Sequence, residues 1–233
     1  MIILTGDTHG ALDIDKLMPE FFPFKNLTKK DYVIILGDFG FIWNRIQDTR
    51  ERNWLKWFDD LPWTTLFIDG NHENHPRLAE FPEEIWHKGR THRISESVYH
   101  LTRGQVFEIE GYTFFTMGGA HSTDIMYRRP GVSWWPEELP SEEEYSEAIR
   151  NLDTHNWHVD YVLTHDLPTK QLLELAPYYE PYALTDWLNG IRKRLEYKHW
   201  FCGHHHVDKD LSDNIHILYD QVIPLEQFLN KEN

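Results

Sequence analysis

The sequence is poor in cysteine and in positive charge. A single cysteine, Cys202, occurs among 233 residues, so no disulfide can form within the chain and no cluster of thiolates can hold a metal. Acidic residues outnumber basic ones by 38 to 23, which gives a formal net charge of −15. Because phosphate backbones are attracted to basic surfaces, this balance argues against nonspecific binding of nucleic acids.

Long apolar runs and low-complexity tracts are also absent. No stretch approaches the ~18 consecutive apolar residues that a membrane-spanning helix needs. The chain starts on a strand-like segment and shows none of the features of a signal peptide. We therefore expect a cytoplasmic protein without a membrane partner. No pattern in the sequence indicates an oligomeric state.

The apolar content of the chain is sufficient for one sizeable core. Hydrophobic residues make up 40% of the sequence and aromatic residues 15%, which is too apolar for a disordered chain. A length of 233 residues lies within the usual range of single domains. We predict one domain over residues 1–233, with an inserted excursion of loop and helix at about 120–151.

Apolar runs alternate with amphipathic stretches along much of the chain. Buried strands are predicted at 1–4, 32–36, 64–68, 159–163, 199–202 and 215–219, and helices at 48–58, 141–151, 170–175 and 185–195. Shorter helical pieces are predicted near 13–17 and 225–229, and residues 72–91 as loop and short helix. The runs at 97–101, 105–110 and 112–117 predict hairpins. This order favours a layered α/β fold in which helices cover the sheet.

Five of the apolar runs are followed by side chains that bind metals. The segments are Asp7-Thr8-His9, Gly37-Asp38, Gly70-Asn71-His72-Glu73, Thr164-His165 and Gly203-His204-His205-His206. Ligands of open α/β sheets bind in the crevice outside the carboxyl ends of the strands. We therefore predict that these segments meet at one site.

The candidate ligands mix carboxylate, imidazole and amide groups, which suit Mn²⁺, Fe²⁺ and Zn²⁺. They are Asp7, His9, Asp38, Asn71, His165, His204 and His206. Seven ligands exceed what one site with an open position can use, whereas two ions ~3.5–4 Å apart can share a carboxylate. In extended chain, residues two apart point to the same side, so each D-x-H or H-x-H pair can reach one cavity. The alternative is that these residues are ordinary hydrogen-bonded loop residues.

The ordered set of segments resembles the calcineurin-like metallophosphoesterases, whose D-x-H, G-D, G-N-H-[ED], late His and G-H-x-H blocks occur here in family order. The resemblance implies a four-layer α/β/β/α sandwich of two mixed sheets and a hydrolase that acts on phosphate ester bonds. It also implies two divalent metal ions as cofactors, namely Mn²⁺, Fe²⁺/Fe³⁺ or Zn²⁺. The first ion would be held by Asp7, His9 and His206, the second by Asn71, His165 and His204, with Asp38 bridging both.

The resemblance further implies how the reaction proceeds. A hydroxide held between the ions would attack phosphorus, since coordination lowers the pKa of water from 15.7 toward about 7. His72 would not bind metal and would protonate the leaving oxygen. We expect His205 to point away from the metals and Glu73 to support the loop.

The sequence departs from the protein-phosphatase branch of the family at two positions. That branch carries G-D-x-x-D-R, and Phe41 and Ile42 stand here in place of the second Asp and the Arg. The missing Arg slightly favours a phosphodiester or nucleotide-type substrate. Arg128 and Arg129 are candidates for gripping phosphate, because the planar guanidinium makes paired hydrogen bonds to it, and His121 is a third candidate.

These candidates belong to the excursion, whose Gly118-Gly119 segment is similar to one in the debranching phosphodiesterases of the family. In the other interpretation the excursion is a surface loop pinned by Trp134 and Trp135. Three functions remain open: a diesterase acting on a small phosphorylated substrate such as a nucleotide, a phosphomonoesterase or protein phosphatase, and a non-catalytic metal-binding scaffold. Because every ligand and the G-N-H histidine are retained, the sequence favours an enzyme.

Overall fold

The computed structural model describes residues 1–229, within which the chain forms thirteen strands and five α-helices. The strands are β1 (Ile2–Thr5), β2 (Tyr32–Ile35), β3 (Thr64–Phe67), β4 (Glu83–Trp86), β5 (Gly89–Arg93), β6 (Val98–Leu101), β7 (Val106–Ile109), β8 (Tyr112–Met117), β9 (Tyr161–Thr164), β10 (His199–Cys202), β11 (Lys209–Leu211), β12 (Ile215–Ile217) and β13 (Val222–Pro224). The helices are α1 (Thr49–Asp60), α2 (His75–Leu78), α3 (Glu142–Thr154), α4 (Thr169–Leu175) and α5 (Ala183–Arg194). None of these helices has the length and apolarity required to cross a membrane.

The strands form two mixed sheets. One has seven strands in the order β13-β1-β2-β3-β6-β5-β4, and the other has six in the order β11-β12-β10-β9-β8-β7. In the first sheet, β1, β2, β3 and β6 run parallel, β13 and β5 pair antiparallel with β1 and β6, and β4 pairs antiparallel with β5. In the second, β8, β9, β10 and β12 run parallel. The parallel centres are buried on both faces, as their continuous apolar sequences predict.

Three layers of apolar side chains hold the two sheets and their helices together. Alternate residues of one strand face opposite sides, so Leu4 and Ile34 pack between the sheets, whereas Ile3 and Val33 pack on the outer face of the first sheet. That outer face is covered by α1, and the outer face of the second sheet is covered by α3 and α5. The predicted four-layer α/β/β/α sandwich is confirmed.

The predicted strands and long helices are confirmed with small shifts of their ends, and the pieces near 13–17 and 225–229 are short 3₁₀ helices. Two predictions are wrong in part, although the short helix within 72–91 and the hairpin of the runs 105–110 and 112–117 are confirmed. Residues 72–91 contain α2 and most of an antiparallel hairpin, β4–β5, whose charged and polar residues lack an apolar signal. The runs at 97–101 and 105–110 do not pair, since β6 joins the first sheet and β7 the second. The turn between them carries Arg103, whose buried guanidinium contacts Asp69 at 2.5 Å.

The excursion at about 120–151 consists of loop, two 3₁₀ turns (Ile125–Tyr127 and Pro136–Glu138) and α3. The predicted capping box is present: Ser141 accepts a hydrogen bond from the Glu144 N–H, and the Glu144 carboxylate accepts one from the Ser141 N–H. The helix continues to Thr154, a few residues beyond its predicted end. Assignment of the whole chain to one domain stays a prediction.

The stability of the protein should be sensitive to acid because of two histidines, His92 on β5 and His75 on α2. Burial lowers the pKa of His92 to about 4 and that of His75 to about 3. An unfolded histidine titrates near pH ~6.5, so the unfolded chain binds more protons than the folded one between about pH 6.5 and 4. Stability should therefore fall as the pH falls through this window. We expect His92→Gln to flatten the dependence of the unfolding free energy on pH, measured by urea unfolding at a series of pH values.

The matched control is His158→Gln, because His158 is exposed. This variant should keep the acid sensitivity of the parent protein. Equal slopes for His92→Gln and the parent would contradict the prediction.

Candidate metal centre

The candidate ligands lie in the loops that follow parallel strands. Asp7, Asp38 and Asn71 follow β1, β2 and β3, which are neighbours in the first sheet, and His165 and His204 follow β9 and β10, neighbours in the second. Because the strands within each set are parallel, their carboxyl ends share one edge. The structure brings the two edges together at a common site.

One group of donor atoms forms around Asp7. The donor atoms of Asp7, His9 and His206 lie within 4.8 Å of one another. His206 Nε2 is 3.4 Å from Asp7 Oδ2, and His9 Nε2 is 3.1 Å from Asp38 Oδ2. These contacts bring together the four side chains assigned to the first ion.

A second group forms on the other side of Asp38. The donor atoms of Asp38, His165 and His204 also lie within 4.8 Å of one another, and Asn71 lines the same cleft as Asp38 and His204. His165 Nε2 is 3.3 Å from Asp38 Oδ1. One carboxylate oxygen of Asp38 therefore faces each group, as a bridging ligand must.

Neighbouring groups fix which atom of each ligand faces the site. His165 Nδ1 lies 2.7 Å from the Leu36 carbonyl oxygen, and His9 Nδ1 lies 2.7 Å from Asp13 Oδ2, which leaves both Nε2 atoms toward the centre. The Asn71 side-chain NH₂ donates to Ser122 Oγ at 3.1 Å, which leaves its carbonyl oxygen toward the centre. Such contacts are the usual supports of metal ligands.

Three buried atoms of the site make no well-formed hydrogen bond among residues 1–229, and two of them approach only other candidate ligands, at 3.3 and 3.4 Å. They are Asp7 Oδ2, Asn71 Oδ1 and His165 Nε2. An unpaired buried polar atom is costly, at about 1–3 kcal/mol for a neutral group. All three belong to the candidate ligand set and face the site. The donor set therefore fits divalent cations.

The charges of the site favour cations as well. Burial alone would raise the pKa values of Asp7 and Asp38, but the neighbouring His165 and further histidine contacts lower both below the usual range. Burial alone would lower the pKa of His165, yet Asp38 and Asp7 raise it to about 10. Two buried carboxylates this close need positive charge, which bound cations would supply.

Local backbone conformation is unusual at the ligands. His9, Asp38, His204 and His206 have φ values of 44°, 49°, 65° and 49°, in the left-handed region that non-glycine residues rarely occupy. At Gly70 a Cβ atom would lie 2.1 Å from Asp38 Oδ1, so only glycine fits there. Strain of this kind is retained where the side chains must converge on a site.

His72 lies at the edge of the donor atoms. Its backbone N–H donates to Asp38 Oδ1 at 2.7 Å, and its ring packs edge-on against His9 with centroids 4.9 Å apart. Its Nε2 lies 2.9 Å from Arg128 Nη2. Burial lowers the pKa of His72, and the nearby Arg128 charge lowers it further, against the effect of Asp38. Phe41 offers no polar contact to His72, so Arg128 provides the side-chain contact that the structure shows at Nε2.

The three candidates for binding substrate have different surroundings. Arg128 is held by Asp124 Oδ1 at 2.5 Å and the Ser133 carbonyl at 3.1 Å, and it lines the cleft beside His72. His121 also lines this cleft, with Nδ1 3.4 Å from Glu138 Oε1. The structure does not bring Arg129 to the cleft, and its side chain is exposed. Its backbone N–H donates to Ser133 Oγ. Neither Trp134 nor the buried Trp135 lines the cleft, so stacking on them is not supported.

Glu73 and His205 lie beside the donor atoms. The buried Glu73 carboxylate accepts from the Gly40 N–H at 3.2 Å, and burial and Asp38 raise its pKa well above the usual range. It therefore supports the loop, as predicted. His205 turns to Asp166, with Nε2 2.9 Å from Oδ1, and Tyr182 donates to the other oxygen of Asp166. Asp166 was not predicted to have a role, although it follows His165 directly in the sequence.

Two clefts open beside the centre. The main cleft, of about 780 Å³, is lined by Asp38, Asn71, His72, Arg128 and His204 together with Tyr179 and Tyr182. The aromatic cleft, of about 440 Å³, is lined by His9, Phe41, Trp43, Trp54 and His72 with Asn44 and Arg50. Both volumes suit small-molecule ligands.

Comparison with known proteins identifies the family of this chain. A sequence model of the calcineurin-like phosphoesterases matches residues 1–208. Lariat debranching enzymes of Danio rerio and Gallus gallus are each 22% identical to the chain over 236 residues, which is 88% of this chain and 40% and 42% of those proteins. The enzyme of Drosophila pseudoobscura pseudoobscura is 23% identical with the same 88% of this chain covered. The chain thus spans about two fifths of the length of these relatives.

The family match covers most of the sequence and includes every predicted ligand. It confirms, at the level of the family, the prediction of a hydrolase acting on phosphate esters. The two mixed sheets with helices on their outer faces are the fold that the resemblance implied. The chain belongs to the calcineurin-like phosphoesterase family.

Proposed function

We propose that this chain is a metal-dependent phosphodiesterase acting on a small phosphodiester or nucleotide-type substrate. The observation that carries the proposal is the position of Asp38, whose two oxygens face two separate groups of donor atoms. Such an arrangement suits two ions that share one carboxylate.

In this proposal the first ion would be held by Asp7, His9 and His206, the second by Asn71, His165 and His204, and Asp38 would serve both. When bound, divalent ions of this kind act as Lewis acids toward phosphoryl oxygens and make water a better nucleophile. The chain itself orients the donor atoms through the Leu36 carbonyl, Asp13 and Ser122.

His72 and Arg128 contact the reacting phosphate in this proposal. Hydrolysis adds water at phosphorus and breaks the bond to one ester oxygen, which leaves an alcohol and a phosphate monoester. Because Arg128 Nη2 donates to His72 Nε2 in the structure, Arg128 must first turn to the phosphate and His72 must take up a proton. His72 then gives that proton to the leaving oxygen and regains one from solvent. Arg128, already 2.9 Å from His72, places positive charge beside the phosphate.

The preference for a diester has two supports. Phe41 and Ile42 are buried in the core of the first sheet, so no arginine grips a terminal phosphate from these positions. The second support is that the curated relatives of Danio rerio and Drosophila pseudoobscura pseudoobscura are named lariat debranching enzymes. The net charge of −15 favours a small substrate over a long polyanion.

The test is hydrolysis of bis-p-nitrophenyl phosphate and of p-nitrophenyl phosphate, with added Mn²⁺ and with a chelator. We expect the diester to be cleaved with the higher kcat/KM and both activities to be lost with the chelator. Faster cleavage of the monoester would establish a phosphomonoesterase instead. No cleavage of either compound with Mn²⁺, Fe²⁺ or Zn²⁺ would identify a non-catalytic scaffold.

Ser122 should control metal binding through Asn71. The buried Ser122 receives the Asn71 NH₂ and donates from Oγ to the buried Glu138 carboxylate at 2.6 Å. Without this contact the Asn71 amide is free to rotate its oxygen away from the site. We expect Ser122→Ala to weaken Mn²⁺ binding about 10–100-fold at the Asn71 side, measured by titration of the metal-free protein.

A second serine in the same excursion provides the control. Ser141 caps α3, so Ser141→Ala should cost about 1 kcal/mol of stability and leave Mn²⁺ affinity unchanged. Unchanged Mn²⁺ affinity in Ser122→Ala would show that Asn71 needs no such support.

A further inference from the structure

His72 stands between the two clefts. It lines the main cleft together with Asp38 and Asn71, and it lines the aromatic cleft together with His9. A phosphate at the candidate metal centre therefore has a cavity on either side of it. A phosphomonoester has one arm and would fill only one of these cavities, whereas the two arms of a diester can occupy both.

The walls of the aromatic cleft are rigid indole rings. Trp43 stacks near His72, with ring centroids 6.3 Å apart, and meets Trp135 edge-on at 5.3 Å. Trp54 packs against Phe41 with centroids 5.2 Å apart. Both Trp43 and Trp54 are half-buried. Because neighbours already hold these rings, a flat ligand can stack on them without the cost of ordering the side chains.

The rim of the cleft is polar and carries little uncompensated negative charge. Asn44 and Arg50 are exposed there and offer N–H donors. Glu51 also lines the cleft, but its carboxylate is bound by both terminal nitrogens of Arg77, at 2.6 and 2.7 Å. The Asp48 carboxylate caps α1 by accepting a hydrogen bond from the Glu51 N–H. Flat walls with donors at the rim match a nucleobase, which has aromatic faces and acceptor atoms at its edge.

We propose that the aromatic cleft binds the nucleobase of the leaving arm of a phosphodiester, while the other arm lies in the main cleft. This assignment rests on the proposed function, because His72 identifies the leaving arm by protonating its oxygen. The leaving oxygen must lie within reach of His72, and the aromatic cleft begins at that ring. The substrate class that follows is a diester with a nucleoside as the alcohol released.

The test is calorimetric binding of adenosine 5′-monophosphate and of ribose 5-phosphate to the full chain loaded with Mn²⁺. Stacking of a base on an aromatic side chain corresponds to about a five- to hundredfold gain in affinity. We expect the nucleotide to bind more tightly than the sugar phosphate by a factor in this range. Trp54→Leu should remove most of that preference while leaving the affinity for ribose 5-phosphate unchanged.

Trp187→Leu is the matched control, because Trp187 is also a half-buried tryptophan on a helix and lines neither cleft. It should keep the preference for the nucleotide. Arg50→Ala probes the exposed rim without touching the core, and it should reduce the preference even if Trp54→Leu does not fold. Thermal unfolding of each variant reports on folding.

Equal binding of the two ligands by the parent protein would overturn the inference. A preference that survives in both Trp54→Leu and Arg50→Ala would also overturn it, and its loss in Tyr179→Leu would place the base in the main cleft. Failure of the proposed function is a different result, namely no metal-dependent cleavage of p-nitrophenyl diesters. If cleavage is absent while the preference depends on Trp54, base binding in the aromatic cleft is supported and the diesterase proposal fails.

Discussion

Asp38→Asn is expected to abolish metal-dependent hydrolysis and to leave the protein with one bound ion or none. Asp38 Oδ2 faces His9 and Oδ1 faces His165, so one side chain serves both groups of donors. Asparagine keeps one oxygen, loses the charge and offers an NH₂ to the other group. The measurement is metal content by mass spectrometry together with hydrolysis of bis-p-nitrophenyl phosphate.

Thermal unfolding gives a second readout that does not depend on activity. A ligand present at 100 times its dissociation constant stabilises the folded state by about 2.7 kcal/mol. For a chain of this size that corresponds to a rise in Tm of about 5–10 °C. Mn²⁺ should raise the Tm of the parent protein by at least this much, and the rise should disappear in Asp38→Asn.

Asp160→Asn is the control for loss of an aspartate in general. Asp160 accepts hydrogen bonds from the N–H and hydroxyl of Thr113, away from the candidate ligands. This variant should be less stable, and Mn²⁺ should still raise its Tm. Two ions per chain and normal turnover in Asp38→Asn would disprove the bridging role of Asp38.

His72→Ala is expected to lower kcat about 10²–10⁴-fold while the metal content stays unchanged. The backbone N–H of His72 holds Asp38 Oδ1, and alanine preserves that contact. The donor atoms of His9, Asp38 and His72 also lie within 4.8 Å of one another, so the geometry allows His72 itself to be a ligand. Metal content therefore separates the two roles. A variant that loses an ion would show that His72 binds metal.

The dependence on the leaving group tests proton donation by His72. A p-nitrophenolate leaves readily without a proton, whereas the alkoxide of a nucleoside does not. The fall in kcat caused by His72→Ala should therefore be larger for a dinucleotide than for bis-p-nitrophenyl phosphate. Equal defects on both substrates would mean that His72 acts on the phosphate or on the fold of the loop rather than on the leaving oxygen.

The two failures in the strand prediction have different physical origins. The edge strand β4 and its neighbour β5 consist mainly of polar residues such as Glu83 and Arg93, which leave no apolar period in the sequence. Between β6 and β7 the chain passes from one sheet to the other, and Arg103 in this turn contacts Asp69, 34 residues away in the chain. A pairing over that distance has no local signal.

The kind of fold and the residues of the candidate site could be predicted from the sequence. Continuous apolar runs fix the buried strands, since only a strand covered on both faces can be apolar throughout, and the polar residue after each run must then lie at a sheet edge. The tertiary structure alone decided which partners those residues meet. The contact of Arg128 with His72, the support of Asn71 by Ser122 and the walls of the two clefts join residues from separate elements. They depend on how two sheets and an excursion pack, and packing is set by the shape of the whole core rather than by any local pattern.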